Sequence, residues 1–96
     1  MKHLSPKQIA IYLKTVPQWA RRAKTIHREF EFKGFTDAID FVNRVARAAE
    51  KNDHHPDIDI RYNQVKLALV THDSGGITQK DIDLATRIDG VSAGTK

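Results

Sequence analysis

From residue 36 to residue 52 apolar side chains recur at intervals of three and four. Ala38, Ile39, Val42, Val45, Ala46 and Ala49 follow Phe35, while Asp37, Asp40, Asn43, Arg44, Arg47 and Lys51 take the other side. This is the period of an amphipathic helix with one face turned to a core. The preceding stretch has a period of two: Ile26, Arg28, Phe30 and Phe32 alternate with His27, Glu29 and Glu31, a strand that Gly34 ends. Trp19 to Arg22 predict a shorter strand joined to it through Ala23-Lys24-Thr25. Beyond the long helix, Asp57 to Tyr62 alternate charged and apolar residues. Asn63-Gln64 predict a tight connection from there into a strand over residues 65–72. Ala68 and Val70 are apolar on that strand's second face, so another subunit is a plausible second cover for the sheet.

Helix-start signals bracket these elements. Ser5-Pro6-Lys7-Gln8 combines a capping serine, proline at the first helical position and glutamine where a capping box needs it, with Leu4 and Ile9 placed for a hydrophobic staple. A short helix is expected over residues 6–14. Thr78 caps a last helix with Asp81 at its third position, Ile77 stapled to Ile82, and Ile82, Ala85 and Ile88 facing inward. Gly90 is expected to stop it, leaving residues 91–96 as a patternless, frayed tail. The order α-β-β-α-β-β-α predicts an α+β fold in which three helices pack on one face of a four-stranded antiparallel sheet.

Ninety-six residues suffice for one domain, expected over residues 1–96. No apolar run approaches the ~20 residues of a bilayer span, and the first residues lack the apolar segment of a signal peptide. The expectation is a soluble, cytoplasmic protein with no membrane partner. The absence of cysteine excludes disulfides, iron–sulfur clusters and thiolate zinc sites. The net charge of +4 is uneven: residues 1–52 carry 11 Lys and Arg against 5 acids, residues 53–96 carry 5 against 7. The basic residues are scattered, without a dense block or interleaved aromatics. They read as a solvated positive face able to attract anionic ligands, and no nucleic-acid partner is expected.

The chemistry concentrates at the end of the long helix, in Glu50-Lys51-Asn52-Asp53-His54-His55-Pro56. Proline and the constraint it places on the preceding residue make this a junction. A further imidazole, His72, ends an apolar run and precedes Asp73 and Gly75-Gly76. Convergence of His54, His55 and His72, with Glu50, Asp53 and Asp81 around them, would suit acid–base work, because an imidazole of ordinary pKa ~6.5 both donates and accepts protons near neutrality. Metal binding is the competing reading, but adjacent loop histidines lack the spacing that makes ligands meet at a point, and no metal is expected. Ser74 has no strand-turn-helix setting for a nucleophile, and Ser74-Gly75-Gly76 lacks the lysine and spacing of a phosphate loop. His3 and His27 are expected to be solvated. By position alone Asp81 is a capping acid, and Trp19 suits either a core or the wall of a pocket for a flat ring.

Glu50, three residues, His54-His55-Pro56, five residues, Tyr62, nine residues, His72, eight residues and Asp81 resembles the signature of the pterin-4a-carbinolamine dehydratases. Tyr62-Asn63-x-Val65, Thr71-His72-Asp73, Gly75-Gly76-Ile77-Thr78, Trp19 and Phe30-x-Phe32 extend the similarity from Trp19 to about Asp89. The resemblance implies the four-stranded, three-helix fold and a homodimer or homotetramer. It also implies removal of water from a 4a-hydroxytetrahydropterin to give the quinonoid dihydropterin, recycling the cofactor of aromatic amino acid hydroxylases. His54 and His72 are then the acid–base pair and His55 orients substrate. Glu50 holds a histidine or accepts a proton, Asp53 and Asp81 meet polar ring edges, Lys80 lines the rim, and no dissociable cofactor is needed. The alternatives are action on another pterin, as in molybdopterin metabolism, or a non-catalytic dimerisation or scaffold protein of the same fold.

Overall fold

The computed structural model describes residues 2–94. Its elements are α1 (Pro6–Leu13), β1 (Ala20–Arg22), β2 (Thr25–Glu31), α2 (Phe35–Lys51), β3 (Asp57–Arg61), β4 (Gln64–Leu69), a 3-10 turn (His72–Ser74) and α3 (Gln79–Ala93). The four strands form one antiparallel sheet in the order β1-β2-β4-β3. The α+β arrangement expected from the residue pattern is the one observed.

Register explains why one face of the sheet is apolar. Ile26 lies opposite Leu69, Arg28 opposite Leu67 and Phe30 opposite Val65, so these side chains share a face. Ile58 and Ile60 on β3 pair with Leu67 and Val65 and join it. That face meets Ile9 of α1, Ala38, Phe41 and Val45 of α2, and Ile82, Leu84, Ala85 and Ile88 of α3 in a single core. The opposite face carries Glu29, Glu31, Asp57, Asp59, Arg61 and Lys66. Two grooves of about 490 and 290 Å³ run along it past Glu29, Asp59 and Lys66.

Arg28 is the one charged residue on the inward row of β2. Its guanidinium lies 4.2 Å from the Phe30 ring centroid and 2.6 Å from Asp89 of α3, an edge position where its charge is matched by a carboxylate and an aromatic face.

Several expectations are revised. Phe41, absent from the periodic set, is fully buried at the centre of α2, with its ring centroid 4.7 Å from that of Phe30 and 4.9 Å from that of Phe32. Phe35, counted among the apolar set, sits at the helix's first position and is 50% exposed. The turn between β3 and β4 is Tyr62-Asn63, one residue earlier than expected. Asn63 is tied to β2 by exchange with Phe32, its carbonyl accepting from Phe32 N at 2.9 Å and its Nδ2 donating to Phe32 O at 2.9 Å. Tyr62 takes the left-handed φ of 54° that this register requires.

Helix α3 does not stop at Gly90 but runs to Ala93. Val91 packs on the core, and that burial outweighs the ~1 kcal/mol a mid-helix glycine costs. The expected frayed tail is thus helical as far as Ala93, and Thr95 and Lys96 lie outside the described residues. Both predicted capping boxes, at Ser5 and at Thr78, are formed. Among the described residues no helix is long and apolar enough to cross a membrane.

Candidate active site

Helix α2 ends in a way that sets the first two histidines. Asn52 is the C-cap, Asp53 N donates to Glu50 O at 3.2 Å and His54 N donates to Ala49 O at 3.1 Å. These are the paired bonds of a Schellman motif, with Asp53 at the position where the chain turns left-handed. Asp53 holds φ 48°, a conformation in which glycine is the commoner residue and Asp is among the few tolerated alternatives. The reversal throws His54 towards the start of α3 and leaves His55 and Pro56 to lead into β3.

His54 meets Asp81 there. Its Nε2 lies 2.6 Å from Asp81 Oδ1, with 11% of the His54 side chain and none of the Asp81 side chain exposed. The other carboxylate oxygen, Oδ2, accepts from Thr71 Oγ1 at 2.9 Å and from the Thr78 backbone N–H at 2.8 Å. Asp81 occupies the third position of α3, where the free N–H groups of the first turn favour negative charge. A carboxylate withdrawn from water needs such partners. Asp81 therefore faces His54 with both oxygens engaged and is not free to meet a ring edge, the role the family resemblance implied for it.

The strand end carrying His72 is anchored to the same carboxylate. The inward row Val65, Leu67, Leu69 continues by alternation to Thr71, which is buried and reaches Asp81. Thr71 also forms an isolated bridge with Gly76, with Thr71 N donating to Gly76 O at 3.0 Å. Residues 72–75 are a tight excursion between those two ends, closed by Gly75 at φ 71°. His72, exposed, opens this excursion as the first residue of a 3-10 turn, beyond the end of the strand in which it was expected. Its backbone is one residue from a hydroxyl that is two hydrogen bonds from the His54 ring.

His55 Nε2 lies 3.3 Å from Glu50 Oε2, both side chains largely exposed, so the histidine that Glu50 holds is His55. Lys80 is exposed on the first turn of α3 beside Asp81. Asp53 is exposed, and its visible contribution is to the chain reversal.

Trp19 stands apart from this group. It is 3% exposed in the core and its Nε1 donates to Asp89 Oδ1 at 2.8 Å, on α3 two turns beyond Asp81, or ~12 Å along the axis. The structure gives it a packing role and not that of a pocket wall. Among the described residues no three His, Cys, Asp or Glu side chains gather as a metal-ligand group; His54 pairs with Asp81 and His55 with Glu50. Thr71 is not among the site residues expected from the sequence, although its place on an inward-facing strand row is a signal that its hydroxyl needs a buried partner.

The model of the family described as "Pterin 4 alpha carbinolamine dehydratase" matches residues 2–91 of this chain. The chain belongs to this family. A protein of Acidobacterium capsulatum named "Putative pterin-4-alpha-carbinolamine dehydratase" is 54% identical over 89 residues, covering 93% of this chain and 97% of its own. One of the same name from a Picosynechococcus strain is 50% identical over 86 residues, covering 90% and 94%.

The crystal structure of a transcriptional coactivator/pterin dehydratase from Brucella melitensis superimposes with a TM-score of 0.91 at 32% identity, covering 95% of this chain and 99% of that one. A pterin dehydratase-like protein described as a RuBisCO assembly factor of the alpha-carboxysome shares the fold at a TM-score of 0.64 and 19% identity, covering 77% and 86%. Chains of this architecture thus carry names from catalysis, coactivation and assembly, and function has to be argued from the side chains of the site.

Proposed function

We propose that this member of the pterin-4a-carbinolamine dehydratase family is a working dehydratase. It removes water from a 4a-hydroxytetrahydropterin to give the quinonoid dihydropterin, so renewing the pterin used by aromatic amino acid hydroxylases. The observation that carries this reading is the His54–Asp81 pair, a buried carboxylate holding one nitrogen of a histidine that still reaches the surface. The capping role of Asp81 accounts for its Oδ2 contacts, and the acid–base reading accounts for Oδ1 being turned to His54.

The reaction breaks the C4a–O bond. A proton goes to the departing oxygen, the N5 lone pair forms the new C=N bond, and the N5 proton passes to a base, so that one water leaves. With Asp81 a carboxylate, it offers His54 only acceptors. His54 then carries its proton on Nε2 and presents Nδ1, which has no protein partner among the described residues, to the substrate. His72 supplies the second proton-transfer group, while His55, steadied by Glu50, orients the pterin and Lys80 borders it. The exposed Ile58 and Tyr62 at the β3 edge favour a homodimer or homotetramer as the working form.

The test is the rate of carbinolamine breakdown, followed by stopped-flow absorbance with and without the protein. His54→Ala and His72→Ala are each expected to slow the catalysed reaction by ~10²-fold or more while the fold persists. Turnover unchanged in both variants would remove the mechanism.

A further inference from the structure

The placement of protons around Asp81 points to one more participant. Thr71 Oγ1 donates its only proton to Asp81 Oδ2. Its 2.8 Å contact with Thr78 Oγ1 must then be donated by Thr78. Thr78 Oγ1 in turn accepts from the backbone N–H of Lys80 at 3.2 Å. The chain of donors runs one way, from the first turn of α3 through Thr78 and Thr71 to the carboxylate. Every buried side-chain nitrogen and oxygen among the described residues has a partner, so no polar atom of this network is left unmatched. Thr71 and Thr78 are 9% and 0% exposed, too enclosed for solvent to replace either hydroxyl freely.

We propose that Thr71 is a positioning residue of the dehydratase site. Its hydroxyl, aimed by Thr78, fixes the plane of the Asp81 carboxylate so that Oδ1 meets His54 Nε2 and Nδ1 is held at one angle to the substrate. The proposal rests on the reading of His54 as an acid–base group. It also assigns a reason for joining the end of β4 to the start of α3 by side chains. The residue that orients the Asp81–His54 pair directly precedes His72, so the backbone of the second proton-transfer group and the ring of the first are referred to one carboxylate.

Thr71→Val keeps the shape and removes the hydroxyl, and Thr71→Ser keeps the hydroxyl and removes a methyl. Thr71→Val is expected to lower kcat by ~10-fold or more, the scale on which removing a group that orients a functional histidine acts, with KM within about two-fold of wild type. Thr71→Ser is expected to recover most of the rate. Nitrogen-15 NMR of the imidazoles gives a second readout that does not need turnover: wild type should show one Nε2–H form of His54 with a slowly exchanging proton. In Thr71→Val that proton should exchange rapidly and the resonance broaden.

A folded Thr71→Val protein with an unaltered His54 signal and wild-type kcat would overturn the proposal. Should Thr71→Val not fold, Thr71→Ala provides the same two readouts, and an unaltered His54 signal with wild-type kcat in that variant overturns the proposal equally. If the wild-type protein proves inactive on carbinolamine, the dehydratase reading fails by itself, and the His54 resonance still decides whether Thr71 positions the pair.

Discussion

Replacing Asp81 with asparagine changes almost no volume but reverses the polarity offered to His54. In the native site Oδ2 faces two donors, the Thr71 hydroxyl and the Thr78 backbone N–H, whereas Oδ1 faces only His54. Asparagine must place its oxygen on one side and its NH₂ on the other. Thr71 can rotate its hydroxyl to accept, but the Thr78 N–H cannot turn. Facing it with NH₂ strands a buried donor, at a cost of ~1–3 kcal/mol. The amide therefore sets its oxygen towards Thr78 and its NH₂ towards His54. Nε2 becomes the acceptor and the proton moves to Nδ1, the nitrogen proposed to act on substrate.

At ~2 kcal/mol, mid-range for that penalty, the wrong tautomer outweighs the right one by about 30-fold. The expected loss in kcat is thus about 30-fold and extends towards the ~10⁴-fold that the same wrong-tautomer substitution causes in a serine-protease triad. Stopped-flow kinetics on Asp81→Asn give the rate, and imidazole nitrogen shifts give the tautomer. A folded Asp81→Asn protein with kcat within about three-fold of wild type would refute the assignment of Nδ1 as the working nitrogen.

Two other substitutions test how the site is held. Asp53→Gly is expected to keep kcat and KM within about three-fold and to raise stability by up to ~1 kcal/mol in urea unfolding, since glycine adopts the left-handed turn freely, whereas Asp53→Val should lose ~1–2 kcal/mol. A roughly tenfold rise in KM for Asp53→Gly would return the carboxylate to the substrate contact that the resemblance implied. Trp19→Phe removes the bond to Asp89 and part of a buried ring, so it should cost ~1–2 kcal/mol of stability, read as a fall in melting temperature, with KM unchanged. A large change in KM at constant stability would place Trp19 at the substrate after all.

Local patterns determine a large part of this protein. The threefold and fourfold spacing of α2, the alternation of β2 and the two capping boxes are legible from neighbours within a few residues, because helix and strand periods are backbone properties that any one face must follow. The signature Glu50, His54, His55, Tyr62, His72 and Asp81 points to the family for the same reason, being a matter of residue types at fixed intervals.

What the order of residues leaves open depends on groups distant along the chain. Nothing near Asp81 says that one of its oxygens serves a histidine 27 positions earlier, or that Glu50 chooses His55 over His54. Both choices follow from where the Schellman turn aims the chain. Phe41 became central, and Trp19 turned inward to Asp89, only when β2 and β4 paired and α2 and α3 closed over them. The role proposed for Thr71 likewise required the strand end and the helix cap to be brought within hydrogen-bond distance. Short-range periodicity is written in the order of residues, but the partners of a buried polar atom are decided by which elements pack together, and that is a property of the folded chain.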